Sequence, residues 1–346
     1  MNLIKPHKLQ RGDKAATVSL SWGGAGDPDF IWRYQAGKER LESVFGLEVV
    51  EMKHTLKGSQ YLYEHPEKRA EDLMQAFADP DIKGIFSCIG GEESVRMLPF
   101  IDFNIIRENP KVLIGYSDTT VAHFMCIKSG ISSFYGASVL AELAENIEIY
   151  DYTKHNLEKT LFRNETIGEI APSDYWTSEF LPWLAGNRDI VKKTKKNSGY
   201  ELLQGSGKAK GRLIGGCIEV LEMIKGTVLW NKSDFDGSIL FFDTSEDKPE
   251  PKFIEYWLRN YGSQGILQKV NGIIWSKPYD NKYYEEYKVS VIKIMNELGL
   301  RDLPILYNVN FGHTEPMCVL PYGSLAEIDC DNKRFSILEA GVTGEN

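Results

Sequence analysis

The chain has 346 residues, which is more than one typical hydrophobic core needs and predicts two domains. Hydrophobic residues make up 42% and charged residues 26%, the composition of an ordinary globular enzyme. The formal net charge of -9 argues against a general binder of nucleic acid or of a membrane surface, because both partners are anionic.

The N-terminal segment has no apolar stretch of signal-peptide length, and no segment approaches the roughly 18 apolar residues of a membrane span. We therefore expect a cytoplasmic protein with no membrane partner. The cysteines are odd in number and include no C-x-x-C pair, and H-E-x-x-H is absent. This usage indicates reduced thiols and predicts neither a disulfide framework nor a protein-bound metal.

The first 140 residues alternate between strand-like and helix-like patterns. Pro66 opens a helix that ends before Pro80, and a helical apolar stripe follows Ser117 and ends at Gly130. Such alternation predicts a parallel sheet covered by helices. Three apolar runs predict its buried strands, at 15–20, 84–91 and 112–114.

From about residue 146 to 206 the regular pattern is lost. The stretch is polar, with lysines clustered at 192–196 and aromatic residues at 173–183, and it reads as a surface connection or a functional loop. Alternation resumes at residue 208 and closes with a β-hairpin near the C-terminus. We predict an N-terminal α/β domain, a linker with a substrate loop, and a C-terminal α/β domain rich in strands, over 1–150, 151–206 and 207–346.

The segment VLIGYSDTT places Ser117 where a buried strand turns into a helix. Gly115 relieves the turn, the hydroxyl projects from the backbone, and the following amides with the helix dipole can stabilise an oxyanion. A serine here can equally cap the helix, and G-x-S without a closing glycine is a weak motif. Ser117 is therefore a candidate nucleophile with a structural alternative.

A serine nucleophile needs a base and an acid that orients the base. His313 lies just past an apolar strand, in a loop that can present a functional group or a structural side chain. Asp243 ends the strand SILFFD and Glu246 follows in the turn, so either is a candidate acid or a solvated turn residue. Gly91 closes another buried strand, where a glycine pair makes a sharp turn or offers an amide opposite that of Asp118 as a second oxyanion donor.

Six segments, taken in chain order, resemble the LD-carboxypeptidase family of serine peptidases, and most closely its branch of microcin C self-immunity proteins. They are IGGEESVRMLPFID, KVLIGYSDTT, FYGAS, GRLIGG, ILFFDTSE and the His-Thr-x-Pro of Gly312–Pro316, and the likeness runs from about Leu9 to Leu338. The resemblance implies that Ser117 is the nucleophile and His313 the base. It also implies an oxyanion hole of the Gly91 and Asp118 amides.

The same resemblance implies an architecture. The N-terminal domain carries the serine, the C-terminal domain carries the acid and the histidine, and the site lies at the interface of these two domains. The resemblance also implies a homodimer. No cofactor is implied, because a triad with an oxyanion hole supplies the chemistry.

The sequence departs from the family at two positions. The family acid is a glutamate, and Asp243 stands there, so its loop must approach the histidine more closely or Glu246 must substitute. The immunity branch has a substrate-contacting asparagine after GRLIGG, and Cys217 stands in its place.

The linker aromatics also bear on the substrate. Phe180 and Trp183 match a loop of the immunity branch that stacks a nucleotide base, with Trp176 nearby; the alternative is a hydrophobic staple that holds the loop down.

We predict a serine carboxypeptidase-like amidohydrolase that cleaves the amide of a peptidyl or aminoacyl nucleotide. One alternative is an LD-carboxypeptidase that acts on cytoplasmic muropeptides in cell-wall recycling. Another is a non-catalytic binder of small molecules, since a fold alone proves no function. A dinucleotide oxidoreductase is disfavoured, because Asp29 replaces the third glycine of G-x-G-x-x-G after the first strand.

Overall fold

The computed structural model describes residues 2–344; Met1 and residues 345–346, which the predicted domain ranges include, lie outside the described residues. The chain forms two large β-sheets, each with a parallel centre and helices against it. This confirms the predicted α/β fold with a second, strand-rich half. No helix within residues 2–344 combines the length and the apolar character needed to cross a membrane.

The first sheet belongs mainly to the N-terminal half. Its strands are β1 (Lys14–Val18), β2 (Glu48–Glu51), β3 (Ile82–Ser87), β4 (Val112–Gly115), β5 (Phe134–Tyr135) and, from the far end of the chain, β14 (Leu320–Pro321). Their order is β14-β5-β4-β3-β1-β2, parallel except for the antiparallel pairing of β14 with β5. Because β14 completes a sheet made by the other half, the two halves interlock.

The second sheet holds the C-terminal strands. These are β6 (Gly168–Glu169), β9 (Glu201–Gln204), β10 (Lys208–Cys217), β11 (Ser238–Asp243), β12 (Gly272–Ser276), β13 (Ile305–Val309), β15 (Leu325–Asp329) and β16 (Arg334–Ile337). The order is β6-β16-β15-β10-β11-β12-β13-β9, with β10 to β13 parallel and the outer pairs antiparallel. A separate short ribbon pairs β7 (Tyr175–Trp176) with β8 (Lys195–Lys196).

The helices cover these sheets, and the central strands are accordingly buried on both faces, which explains their continuous apolar runs. They are α1 (Ile31–Ser43), α2 (Ser59–Glu64), α3 (Pro66–Ala78), α4 (Phe103–Glu108), α5 (Thr120–Ser129), α6 (Asp151–Leu161), α7 (Ile218–Ile224), α8 (Pro251–Ser263) and α9 (Tyr284–Glu297). The helix predicted between Pro66 and Pro80 is α3, with Pro66 at its first position, where a missing N–H costs nothing.

The helix α6 corrects the sequence analysis, which assigned its residues to an irregular linker. Its buried face mixes Thr153, Asn156 and Thr160 with two leucines. Three of these five buried residues are polar, so the apolar period of a helix is masked even though the side chains are buried.

The fold brings the ends of three parallel strands to one place. Ser117 follows β4, Asp243 ends β11 and His313 follows β13. Loops at the carboxyl ends of parallel strands are where α/β proteins place their functional groups. The two sheets therefore face each other across a shared site.

Candidate active site

Ser117 lies on a strained turn between β4 and α5. Its φ is 59°, in the left-handed region that an L-residue rarely adopts. The backbone of Gly90 passes directly beside it, and a Cβ on that glycine would lie 2.7 Å from the Ser117 Cβ and 2.9 Å from its Oγ. Glycine at position 90 thus leaves room for a serine whose hydroxyl opens into the neighbouring cavity.

Asp243 holds the other end of the site. It is fully buried, and its Oδ2 lies 2.7 Å from the Nδ1 of His313. The hydroxyls of Tyr135 and Ser276 each donate to the same carboxylate at 2.8 Å. Gly312 comes so close that a Cβ there would overlap the Asp243 carboxylate. The close approach of the histidine loop therefore allows Asp243, although shorter than a glutamate, to reach His313.

The two ring nitrogens of His313 face different carboxylates. The Nδ1 is held by Asp243, whereas the Nε2 has no hydrogen-bond partner within residues 2–344 and lies 3.3 Å from Glu246 Oε2. Burial by itself lowers the pKa of His313, but the charge and hydrogen bond of Asp243 outweigh burial and raise the pKa to about 9.

Glu246 is 63% exposed and stands on the wrong nitrogen for an orienting acid. Ser117 and His313 line the same cavity without a hydrogen bond between them in the described part of the chain. Such bonds often tighten only when substrate is present.

The loop after β3 reaches the Ser117 turn. Gly91 lines the cavity, and its amide has no hydrogen-bond partner among the described residues. Asp118 is buried, and its carboxylate accepts the amides of Glu93 and Ser94 at 2.9 and 2.8 Å. The side chain of Asp118 thus ties the two segments that supply the candidate oxyanion amides.

A cavity of about 610 Å³ opens above these groups, a size suited to a small ligand. One wall is aromatic: the rings of Trp183 and Trp22 stack with centroids 6.3 Å apart, and Phe30 meets Trp183 edge-on at 6.1 Å. The guanidinium of Arg33 lies 4.6 Å from the Trp183 ring. Phe180 also lines the cavity and is 66% exposed. Such a wall offers flat faces to a planar group.

Two domain descriptions match the chain. Residues 16–136 match the LD-carboxypeptidase N-terminal domain, and residues 210–328 match the LD-carboxypeptidase C-terminal domain. The chain belongs to the LD-carboxypeptidase family. This confirms the resemblance found in the sequence.

Relatives within the LD-carboxypeptidase family include the microcin C7 self-immunity protein MccF of Escherichia coli, 32% identical over 99% of both chains. A solved MccF-like protein from Streptococcus pneumoniae in complex with AMP has a TM-score of 0.87 and 32% identity, and covers 94% of this chain and 98% of its own. MccF solved with aspartyl sulfamoyl adenosine has a TM-score of 0.84 and 28% identity, and covers 98% of this chain and 100% of its own. These TM-scores, over nearly the whole of each chain, show that the neighbours share the fold of this chain.

Two of the predicted substrate contacts, Trp176 and Cys217, do not line the cavity. Trp176 is buried in the ribbon β7, where Lys277 and Lys195 lie 4.5 and 4.9 Å from its ring. Cys217 is buried at the end of β10, its Sγ 3.3 Å from Glu219 Oε2 and its amide bonded to a threonine hydroxyl. The Trp176 ring packs against these two lysines and not on the cavity wall, so nearness to Trp183 in sequence did not place both rings at the cavity.

The sequence analysis missed a buried charge network beside the aromatic wall. Lys192 lies 2.7 Å from Glu315 Oε2 and 2.5 Å from Glu145 Oε2. Burial raises the pKa of Glu315 to about 8, although Lys192 opposes the shift, and burial also raises the pKa of Glu142. The KKTKK and His-Thr-Glu-Pro segments were both noted in the sequence, but their pairing across more than a hundred residues left no local signal.

Proposed function

We propose that this LD-carboxypeptidase family member is a serine-type amidohydrolase that cleaves the amide of a peptidyl or aminoacyl nucleotide. The observation that carries the proposal is one cavity that joins Ser117 and the Asp243-bound His313 to an aromatic wall with Trp183. The AMP and aspartyl sulfamoyl adenosine bound by its structural neighbours support a nucleotide as the leaving part.

The proposed reaction follows the logic of a catalytic triad. The Oγ of Ser117 attacks the carbonyl carbon while the neutral Nε2 of His313 takes its proton. The amides of Gly91 and Asp118 stabilise the oxyanion, and the imidazolium then protonates the leaving nitrogen. Water, deprotonated by the same histidine, then attacks the acyl carbon; the bond to Ser117 Oγ breaks, and the imidazolium returns the proton to that oxygen. Apart from the substrate and water, each step uses groups of the chain.

The second candidate is hydrolysis of the L,D-bond in muropeptides, which the family description itself favours. The aromatic wall argues for the nucleotide, since a muropeptide tail offers no planar ring to stack on it. A homodimer and a cytoplasmic location remain predictions, and light scattering of the purified chain tests the first.

The test compares the chain with Ser117→Ala on an aspartyl-nucleotide amide and on an L,D-tetrapeptide. We expect the nucleotide substrate to be preferred. We also expect Ser117→Ala to lose on the order of 10⁶-fold in turnover. Its free energy of unfolding should change by less than about 1 kcal/mol, because the Ser117 side chain caps neither the helical turn it begins nor α5. A fluorophosphonate should label Ser117 in the unaltered chain.

If Ser117 is labelled and the tetrapeptide is turned over faster than the nucleotide substrate, the protein is a muropeptide carboxypeptidase. No labelling and no turnover would leave the non-catalytic binder.

A further inference from the structure

We propose that Tyr135 is a positioning residue that couples the Ser117 turn to Asp243 through one buried hydroxyl. The inference deepens the proposed function and rests on it, because it assigns a role in the same serine hydrolase chemistry. Tyr135 lies in the segment FYGAS, but neither that segment nor the departure at Asp243 gave this tyrosine a role.

The hydroxyl of Tyr135 makes two directional contacts. It donates to Asp243 Oδ2 at 2.8 Å and accepts the backbone N–H of Ser117 at 3.3 Å. Tyr135 is fully buried on β5, and Gly115 of β4 is its partner in the strand register. The register of the first sheet therefore sets where this hydroxyl lies relative to the nucleophile two residues beyond Gly115.

The contact crosses from one half of the molecule to the other. Ser117 and Tyr135 belong to the first sheet, whereas Asp243 ends β11 in the second. A hydrogen bond to a buried carboxylate is among the stronger kinds, so this contact fixes the distance between the two sheets at the site. The Tyr135 hydroxyl therefore holds both the Ser117 turn, with its positive φ, and the carboxylate of Asp243.

The same hydroxyl controls how much charge Asp243 presents to His313. Oδ2 accepts both Tyr135 and the His313 Nδ1, while Oδ1 accepts Ser276 and, at 3.4 Å, the His313 amide. Each donor spreads the negative charge of the carboxylate. Removal of the Tyr135 hydroxyl leaves more charge for the imidazolium, which should raise the pKa of His313 further.

The test of Tyr135 must leave unchanged the other titratable groups that surround His313 and Tyr135. Those that act on His313 besides Asp243 are Glu246 and Glu219, with the ring of Tyr116 edge-on at 5.0 Å. Those around Tyr135, besides Asp243, are Cys217, Tyr322, Tyr116 and His123. None of them bonds to the Tyr135 hydroxyl, so Tyr135→Phe removes one donor to Asp243 and one acceptor of the Ser117 amide and leaves the other groups in place.

The experiment compares Tyr135→Phe with Tyr200→Phe. Tyr200 is buried too and donates to the carbonyl of Ile170 at 3.0 Å, away from the cavity, so it matches the loss of one buried tyrosine hydroxyl. For Tyr135→Phe we expect kcat to fall about tenfold or more, KM to stay within about twofold, and fluorophosphonate labelling of Ser117 to slow similarly. The acid limb of kcat/KM should move up by about one pH unit, and an NMR titration of His313 should move with it.

The variant Ser276→Ala distinguishes the contact of the Tyr135 hydroxyl with Asp243 from its contact with the Ser117 amide. It removes a donor to Asp243 without touching the Ser117 amide, so it should shift the acid limb upward with a smaller loss of kcat. Tyr200→Phe should leave the limb and the labelling rate unchanged.

The inference is overturned if Tyr135→Phe loses activity only in step with stability, as a structural tyrosine would, with the limb and the His313 titration unmoved. Normal labelling and turnover in Tyr135→Phe would overturn it as well. Failure of the proposed function looks different: the unaltered chain itself would then fail to label at Ser117, which removes both proposals. Labelling without turnover of the nucleotide removes only the substrate assignment, since the labelling rates still test Tyr135.

Discussion

At the residue scale, the protonation of His313 governs the proposed chemistry. The histidine must be neutral at Nε2 to accept the serine proton, whereas Asp243, working against burial, raises its pKa to about 9. We expect kcat/KM to rise about tenfold per pH unit from pH 6 and to level off near pH 9. A pH–rate profile measured with substrate well below KM checks this. A plateau that begins at pH 7 would contradict it.

The same raised pKa has a consequence for stability. The protonated histidine is favoured in the folded chain, since its folded pKa exceeds the ordinary 6.5. Its contribution to the free energy of unfolding is therefore complete below about pH 6.5 and is lost as the pH rises through 9. Denaturant unfolding of the chain and of His313→Gln across this window should converge at the alkaline end.

The choice of acid is a second prediction about single residues. Asp243→Asn should cost about 10⁴-fold in turnover, because an amide cannot hold the tautomer and charge of the base. Glu246→Gln should stay within about fivefold, since that side chain is 63% exposed and charge pairs in such settings are weak. Steady-state kinetics of the two variants, each checked by circular dichroism, decide between them. A crippled Glu246→Gln beside an active Asp243→Asn would make Glu246 the acid.

At the element scale, the loop from residue 177 to 194 forms the wall of the cavity. Its start is pinned by paired backbone bonds between Thr177 and Glu315, and the carbonyl of Trp183 accepts the indole N–H of Trp32 at 3.1 Å. The Trp183 ring both packs on Trp22 and faces the cavity. We therefore propose that one side chain both staples the loop and stacks a ligand.

That double role gives a prediction with a control in the same loop. Trp183→Ala should weaken turnover of the nucleotide substrate by roughly tenfold or more, from the loss of about 1–3 kcal/mol of stacking, and affect the tetrapeptide less. Val191→Ala removes an exposed apolar side chain that does not line the cavity and should change neither substrate. The readout is kcat/KM on both substrates. If Trp183→Ala lost kcat/KM equally on both substrates, Trp183 would have only a structural role in the loop.

At the scale of the whole molecule, Lys192 ties three distant segments together. It bridges Glu145 of the N-terminal half and Glu315 beyond β13, and all three side chains are largely buried. A buried carboxylate that loses its cation is strongly destabilising. The loop is therefore closed onto both halves by one charged side chain.

We expect Lys192→Met to lower the free energy of unfolding by about 3 kcal/mol at pH 9. The loss should be smaller at pH 6, because Glu315, with its pKa raised to about 8 by burial, is then protonated and needs no cation. The exposed neighbour Lys193→Met should change stability by less than about 0.5 kcal/mol. Urea unfolding at both pH values measures the difference. If Lys192→Met were as stable as the unaltered chain at pH 9, Lys192 would not be what holds the loop onto the two halves.

Much of the fold and part of the site follow from local patterns in the sequence. Continuous apolar runs predicted β4, β11 and β13, and the residues just after them marked Ser117, Asp243 and His313 as candidates. Such signals are local, because a strand buried on both faces and a turn into a helix each leave their mark within about ten residues. The family motifs then assigned roles in the same segments.

The tertiary structure alone decided how those segments meet. Asp243 reaches Nδ1 of His313 while Glu246 lies at Nε2. Trp176 is buried and does not line the cavity, whereas Trp183 does, and Lys192 pairs with two glutamates. Tyr135 bonds to an acid 108 positions along the chain. Directional contacts between residues so far apart depend on sheet register and on how two halves pack. Sheet register and packing leave no periodic or compositional signal in a single sequence. The residues at the strand ends could therefore be predicted, whereas the side chains that contact them appeared only in the folded molecule.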